Sequence, residues 1–108
     1  MRIYALKDEQ AMAWLPGTFM APNNETALRS VAELSLQQPD IPPFKYPDVF
    51  RIYCIGEFDE QNGFRFAEPI FVSTVLAVIN DNIVRQKKYR EYFKVLIEKA
   101  SKTPTENN

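Results

Sequence analysis

Alternation of apolar and polar residues predicts β-strands near the start of the chain and again in its middle. Residues 2–7 suit a first strand, and residues 11–15 suit a short second strand that Trp14 would anchor. The longest alternating stretch is residues 49–58, with Cys54 on its apolar side, where we expect the thiol to be buried rather than reactive. These segments predict strands of one sheet.

A turn and a return strand follow the longest alternating stretch. The Asn62-Gly63 pair supplies the positive φ of a tight hairpin, and residues 64–66 would pair back as a strand that Pro69 ends. Residues 70–79 are apolar and rich in β-branched side chains, which fits a strand, but their length also fits a helix. The sequence leaves that choice open.

A longer apolar period, about 3.6 residues, predicts two helices. The first begins at residues 22–26, where Asn can cap the first turn, and it ends just before Pro39. The prolines of residues 39–47 then predict a stiff, extended connector. After a cap at residues 80–82, the second helix is expected over residues 83–101.

These elements predict one small α+β domain over residues 1–102, followed by a frayed polar tail over residues 103–108. The domain would have an antiparallel sheet of four or five strands, one helix after the first hairpin and a long C-terminal helix. A five-stranded barrel of the oligonucleotide-binding kind is the alternative. The helix between the second and third strands and the long final helix disfavour it.

Composition excludes several kinds of catalytic and metal site. The chain has no histidine, one cysteine and three glycines. It therefore lacks the residues for a Cys–His or Ser–His pair, a zinc site or a glycine-rich phosphate loop. We expect a binding protein rather than an enzyme, with no catalytic residues, no metal and no cofactor. The apolar run at residues 70–79 is far shorter than the ~20 residues of a membrane span, so no membrane contact is expected.

Charge is unevenly distributed, although the formal net charge is only −1. Residues 1–80 carry six Lys/Arg against ten Asp/Glu, a net charge of −4, whereas residues 81–108 carry seven against four, a net charge of +3. An acidic body repels phosphate over the screening length of ~8 Å at physiological salt. This distribution argues against strong nonspecific DNA binding and fits a protein that contacts other proteins.

Several short strings follow one another in a particular order between residues 1 and 75. They are Ile3-Tyr4-Ala5, Ala21-Pro22-Asn23, Ala27 to Val31, Phe50 to Ile55, Gly56-Glu57-Phe58-Asp59 and Glu68-Pro69. In their order and spacing they resemble the small nonstructural protein of gokushovirus-type microviruses, which are icosahedral single-stranded DNA phages. The resemblance does not extend to the charged helix after Ile79.

The resemblance implies a non-virion phage protein that assists single-stranded DNA synthesis or its coupling to packaging. Its partners would be single-stranded DNA and viral replication or procapsid proteins, in the cytoplasm of the bacterial host. No catalytic residues come with the resemblance.

The pattern Arg-Ile-Tyr-small occurs at the start of the chain and again in the long alternating stretch. On neighbouring strands the two copies would form a single patch of Arg2, Tyr4, Arg51 and Tyr53. Proteins hold single-stranded DNA by stacking bases on aromatic rings beside cations that contact phosphates. The alternative is an ordinary sheet face with half-buried Tyr and exposed Arg, since Tyr is common on any strand.

The expected C-terminal helix interleaves cations with aromatic rings and is a second candidate for DNA binding. Its candidate contact residues are Arg85, Lys87, Lys88, Tyr89, Arg90 and Lys94. Together with Glu91 they give a local net charge of +4. Neutralising about four phosphates would give single-strand binding a log–log salt slope of about −2.8. The alternative is a solvated amphipathic helix whose aromatic stripe packs on the body.

A third interpretation uses the same stripe to form a homodimer, through Tyr89, Phe93, Leu96 and Ile97. Two functions therefore stay open, a DNA-binding accessory protein and a protein–protein adaptor without nucleic-acid affinity. They differ in whether the basic residues at 85–94 converge with Arg51 and Tyr53 on one exposed surface.

Overall fold

The computed structural model describes the backbone of residues 1–106 and the side chains of residues 1–100. In chain order its elements are β1 (Arg2–Asp8), β2 (Ala13–Trp14), β3 (Phe19–Ala21), α1 (Asn24–Gln37), α2 (Pro42–Lys45), β4 (Phe50–Asp59), β5 (Gly63–Thr74) and α3 (Val75–Glu106). The predicted fold class is confirmed, because a five-stranded antiparallel sheet is followed by a long C-terminal helix, with α1 after the early strands.

The sheet is built around β1, which pairs antiparallel with β4 on one side. On its other side β1 pairs with β2 at its C-terminal end and with β3 at its N-terminal end. β5 pairs with the far side of β4 and forms the opposite edge of the sheet. β3 was missed from the sequence, because its three residues are too few to show an alternating pattern.

Most of the core lies between the helices and one face of the sheet, while Ile3 and Ala5 are buried outside this cluster. Side chains of β1 alternate between the two faces, and Tyr4 and Leu6 point toward α1 and the start of α3. The buried cluster consists of Tyr4, Ala21, Ala27, Val31, Ala32, Phe50, Ile52, Val75 and Val78. We call the opposite side of the sheet the open face. It carries Ala5 and Lys7 of β1, with Tyr53 and Arg51 paired to them on β4.

Local capping explains where α1 begins. The side-chain oxygen of Asn23 accepts a hydrogen bond from the backbone N–H of Thr26 at 2.8 Å, as expected for an N-cap. After α1, the connector is not extended throughout, because Pro42–Lys45 forms the single helical turn α2. Proline suits the first positions of a helix, where no N–H donor is needed. The prediction of an extended connector was wrong there.

Strand β5 runs through Pro69 and ends at Thr74, so the expectation that Pro69 ends the strand was wrong. β5 is an edge strand, and its ladder is irregular at this point. Cys54 pairs with Ile70 and Gly56 pairs with Phe66, which leaves residues 67–69 bulged. A residue without an N–H donor is best tolerated at a bulge on an edge strand, because the hydrogen-bond ladder is already interrupted there.

Residues 70–79 contain both of the structures that the sequence left open. Residues 70–74 complete β5, and residues 75–79 begin α3. The hydroxyl of Thr74 accepts a hydrogen bond from the backbone N–H of Ala77 at 3.1 Å. The cap expected at residues 80–82 was wrong, since these residues lie inside α3.

The tail expected to fray over residues 103–108 lies partly outside the described residues. The backbone of residues 103–106 belongs to α3, and residues 107 and 108 lie beyond it. That expectation stays a prediction.

Candidate nucleic-acid interface

The two Arg-Ile-Tyr strings lie on neighbouring strands, but they do not form one patch. Tyr4 pairs with Cys54 on the helix-covered face, whereas Tyr53 pairs with Ala5 on the open face. The hydroxyl of Tyr4 donates to the side-chain oxygen of Asn24 at 2.7 Å, and burial raises the pKa of this phenol. Arg2 donates to the same oxygen at 3.3 Å. Tyr4 is fully buried and cannot stack on a base.

On the open face, three aromatic rings form a connected array across the sheet. Trp14 of β2 meets Tyr53 of β4 edge-on, with ring centroids 5.3 Å apart. Tyr53 meets Phe71 of β5 in the same way, with centroids 6.0 Å apart. The side chains of Trp14 and Phe71 are 43% and 51% exposed. Flat aromatic surface is therefore available to solvent on both sides of Tyr53.

Two cations flank this array. The ammonium of Lys7 lies 5.5 Å from the Trp14 ring centroid, and the guanidinium of Arg51 lies 5.5 Å from the Phe71 ring centroid. Both distances are within the range of cation–π attraction. We call the set Lys7, Trp14, Arg51, Tyr53 and Phe71 the ring platform.

One carboxylate fixes the middle ring of the ring platform. The hydroxyl of Tyr53 donates to Glu9 at 2.5 Å, and this hydrogen bond is the main cause of a raised pKa for the Tyr53 phenol. The bond anchors the Tyr53 ring to the residue that directly follows β1. Tyr53 therefore holds Trp14 and Phe71 apart at a fixed spacing.

A shallow groove of about 310 Å³ lies beside the ring platform on the open face. It is lined by Trp14, Ala5, Ile55 and Pro69, together with part of the loop between β2 and β3. Its apolar walls adjoin the Trp14 ring, so a base stacked on that ring would have an apolar surface beside it.

A second group of rings lies near the β4–β5 hairpin. Phe58 and Phe64 have centroids 4.7 Å apart, and the rings of Phe64 and Phe66 are parallel at 6.3 Å. Gly56 opposes Phe66 here, and a Cβ on Gly56 would overlap the carbonyl oxygen of Arg65. Only glycine permits this approach of the two backbones. Arg65 itself is engaged by Asp59 at 3.2 Å and by Glu57 at 3.6 Å.

The basic residues of α3 do not converge with the ring platform. Arg85 lines a cleft with Glu25, Leu28 and Arg29 of α1, on the helix side of the sheet. The sheet therefore separates α3 from the open face. Farther along α3 lie the other predicted contact residues, all of them exposed: Lys87, Lys88, Tyr89, Arg90 and Lys94. The two predicted surfaces therefore do not converge, and by this criterion the arrangement counts for the protein–protein adaptor and against a DNA site made of both surfaces.

The aromatic stripe of α3 does not pack on the body of the domain either. Tyr89 and Phe93 are 61% and 56% exposed. The alternative in which this stripe packs on the body was therefore wrong. Cys54 also differs from expectation, because it is half-buried rather than fully buried, with its thiol 3.7 Å from the carbonyl oxygen of Gly56.

Three members of the ring platform were not among the predicted contact residues: Lys7, Trp14 and Phe71. Trp14 was assigned only as a strand anchor, and Phe71 lay in the stretch whose structure was left open. Residues 70–74 read Ile-Phe-Val-Ser-Thr, which does not alternate, so no local pattern assigned Phe71 to a face of the sheet. The meeting of residues 14, 53 and 71 depends on strand register, which no local pattern contains.

Among residues 1–100, no group of three or more Cys, Asp or Glu side chains is arranged to hold a metal ion. None of the helices in the described part of the chain is long and apolar enough to cross a membrane.

Comparison with protein-family models finds a match over most of the chain. A family model described as "Phage ORF5 protein" matches residues 1–78. No curated protein and no solved structure matches the chain. The matched region contains the whole sheet, α1, α2 and the first turn of α3. It also contains every fully buried apolar side chain of residues 1–100.

Proposed function

This chain belongs to the phage ORF5 protein family, and from that premise we propose that it is a non-virion accessory protein that binds single-stranded DNA. Within the family, we assign it to the nonstructural proteins of gokushovirus-type microviruses. It would assist single-stranded DNA synthesis or the coupling of that synthesis to packaging, in the cytoplasm of the bacterial host. We propose a binding role, without catalysis, metal or cofactor.

The observation that carries the proposal is the ring platform on the open face. Single-strand binding proteins combine exposed rings, on which bases stack, with cations that follow the phosphates. Trp14 and Phe71 are the two exposed rings, and Lys7 and Arg51 are the cations beside them. In a duplex the base faces are already stacked, so such a surface favours single strands.

The charge of the surface sets the expected salt dependence. Two cations, Lys7 and Arg51, would neutralise about two phosphates, which predicts a log–log salt slope of about −1.4 for a single strand. The acidic body, with Glu9 directly beside the ring platform, opposes stronger binding. A modest slope suits a protein that holds DNA transiently during synthesis or handover.

Fluorescence-anisotropy titration of a labelled oligothymidine, with charge-matched variants, tests the proposal. Lys7→Ala/Arg51→Ala and Lys87→Ala/Lys88→Ala each remove two positive charges, the first pair from the ring platform and the second from α3. Measured between about 50 and 200 mM salt, the first variant should lose affinity and its salt slope should fall toward zero. The second variant should bind like wild type.

Two results would contradict the proposal. If only Lys87→Ala/Lys88→Ala weakened binding, the DNA site would lie on α3 and not on the open face. If wild type failed to bind at tens of micromolar protein and the lower salt, direct DNA binding would be rejected. The competing function, an adaptor that contacts replication or procapsid proteins, would then take its place.

A further inference from the structure

At the start of α3, one face of the helix packs against the rest of the domain. Farther along the helix, the same face is exposed to solvent. Among residues 75–100 of α3, the buried and half-buried ones are Val75, Val78, Ile79, Asn82 and Gln86. Their spacing of three or four residues places them on one side of the helix. Extending the same spacing leads to Tyr89, Phe93, Leu96, Ile97 and Ala100.

The body of the domain packs against α3 only as far as the N-terminal end of α1. Arg85 lies in a cleft with Glu25, in the first turn of α1, so α3 passes the N-terminal end of α1 at this point. Beyond it, the apolar side chains on the continued face are exposed, and Phe93 and Leu96 are 56% and 41% exposed. We call Tyr89, Phe93, Leu96 and Ala100 the α3 stripe. It continues an interface that is already formed within the chain.

We propose that a second copy of this chain covers the α3 stripe, with the two α3 helices packed antiparallel. The proposal does not depend on the proposed function, because it uses other residues on the other side of the sheet. Spacings of three and four residues alternate along the stripe, as they do in two-helix coiled coils. A second copy supplies a surface with the same spacing.

Side-chain size favours an antiparallel pair centred between residues 94 and 95. In that register Phe93 faces Leu96 of the second copy, and Tyr89 faces Ala100 of the second copy. Each larger side chain thus meets a smaller one, which is how packed layers fill space without voids. Each of these contacts occurs twice, once from each copy, as a two-fold symmetric dimer requires.

Charge beside the stripe disfavours the parallel alternative. In a parallel pair, a residue beside the stripe of one helix lies against the residue five positions later in the other helix. Arg85 would therefore lie against Arg90 of the second copy. The antiparallel register instead places Arg90 near Ile97 and Tyr92 near Lys99 of the second copy. No like-charged pair then flanks the stripe.

The outer surfaces of the pair stay basic. Residues 85–100 carry six Lys/Arg and two Glu, a net charge of +4 in each copy. Two such helices repel one another, and added salt screens that repulsion. Dimerisation should therefore strengthen with salt, whereas DNA binding weakens with salt. Because salt should change dimerisation and DNA binding in opposite directions, the failure of the dimer proposal can be told apart from the failure of the proposed DNA binding.

Sedimentation equilibrium of the whole chain, from micromolar to millimolar protein at low and high salt, tests the dimer. Phe93→Ser/Leu96→Ser removes two members of the α3 stripe. Val84→Ser/Val95→Ser is the matched control, because these side chains are 53% and 49% exposed but lie on the opposite side of α3. The stripe variant should raise the dimer dissociation constant by roughly tenfold or more. The control should leave it unchanged.

Orientation is tested by a nitroxide on Lys87→Cys in a Cys54→Ser background. With a rise of ~1.5 Å per residue and helix axes ~10 Å apart, the antiparallel register places the two labelled positions about 25 Å apart. A parallel pair would hold them roughly 10–20 Å apart, which would overturn the orientation. A wild-type chain that stays monomeric at every concentration and salt, or equal dimerisation by the stripe variant, would overturn the dimer.

Discussion

Replacing Phe71 with Ala removes the most exposed ring of the ring platform and leaves both of its cations in place. Phe71 contacts Tyr53 edge-on and lies under Arg51, and half of its surface is open to solvent. If one base stacks on this ring, its removal costs about 1–3 kcal/mol of binding free energy. That is roughly a 5- to 150-fold rise in the dissociation constant. The salt slope should not change, because Lys7 and Arg51 still neutralise the same phosphates.

Intrinsic fluorescence provides the assay without any label on the protein. Trp14 is the only tryptophan in the chain, and it lies in the ring platform next to Tyr53. A base stacking on Trp14 should quench its emission, so titration with oligothymidine reports occupancy at the proposed site itself. The variant should show the same quenching at saturation, reached at higher DNA concentration.

Tyr92→Ala is the control for loss of an exposed ring, since Tyr92 is 59% exposed and lies on α3. It should bind like wild type. The reasoning would be refuted if Phe71→Ala bound oligothymidine as tightly as wild type, or if saturating DNA left the emission of Trp14 unchanged. Circular dichroism of Phe71→Ala should match wild type, because the ring lies outside the buried core.

Further predictions concern the fold. Gly56→Ala should destabilise the domain by about 1–3 kcal/mol or more through the backbone overlap it creates, measured by urea denaturation. Gly63 has φ 69° and open space around it. Gly63→Ala should therefore lower the free energy of unfolding only by the strain of alanine in a left-handed conformation, about 1–2 kcal/mol. Asn23→Ala should cost about 1 kcal/mol by removing the α1 cap, and an unchanged midpoint would reject that role. Hydrogen bonds from Asn62 lower the pKa of Asp59 below its usual 3.8. The folded state is therefore favoured by the Asp59 carboxylate above that pH and loses this contribution as the pH falls through the lowered pKa. Asp59→Asn should accordingly differ from wild type at neutral pH and converge with it in acid, and a constant difference would contradict the assignment.

Elements with a local cause could be predicted from the sequence. Asn23 caps its helix through a bond to a residue three positions away. The hairpin at Asn62-Gly63 follows from the positive φ that glycine accepts. Both signals lie within a few residues of the structure they determine.

The faces of the two Tyr side chains could not be predicted, because they depend on register. Residues paired across two strands point to the same side of a sheet, and a shift of one position reverses this. Tyr4 pairs with Cys54, one residue beyond Tyr53. Two identical strings on neighbouring strands therefore place their tyrosines on opposite faces.

The start of α3 was missed for a different reason. Asn80, Asp81 and Asn82 have low helix propensity and are typical of caps. Burial of Val75 and Val78 in the core stabilises the helix on the N-terminal side of that segment. Tertiary packing thus outweighs the local signal.

The bulge at Pro69 affects how molecules of this protein meet one another. Strand β5 forms an edge of the sheet, and no other described strand pairs with its outer side. A free edge of twelve residues with exposed Phe64, Phe66, Ile70 and Phe71 is the kind of template on which chains aggregate by strand-to-strand pairing. Pro69 offers no N–H, and the bulge divides the edge into two short segments. The bulge thereby shortens the continuous edge on which a strand of another molecule could pair.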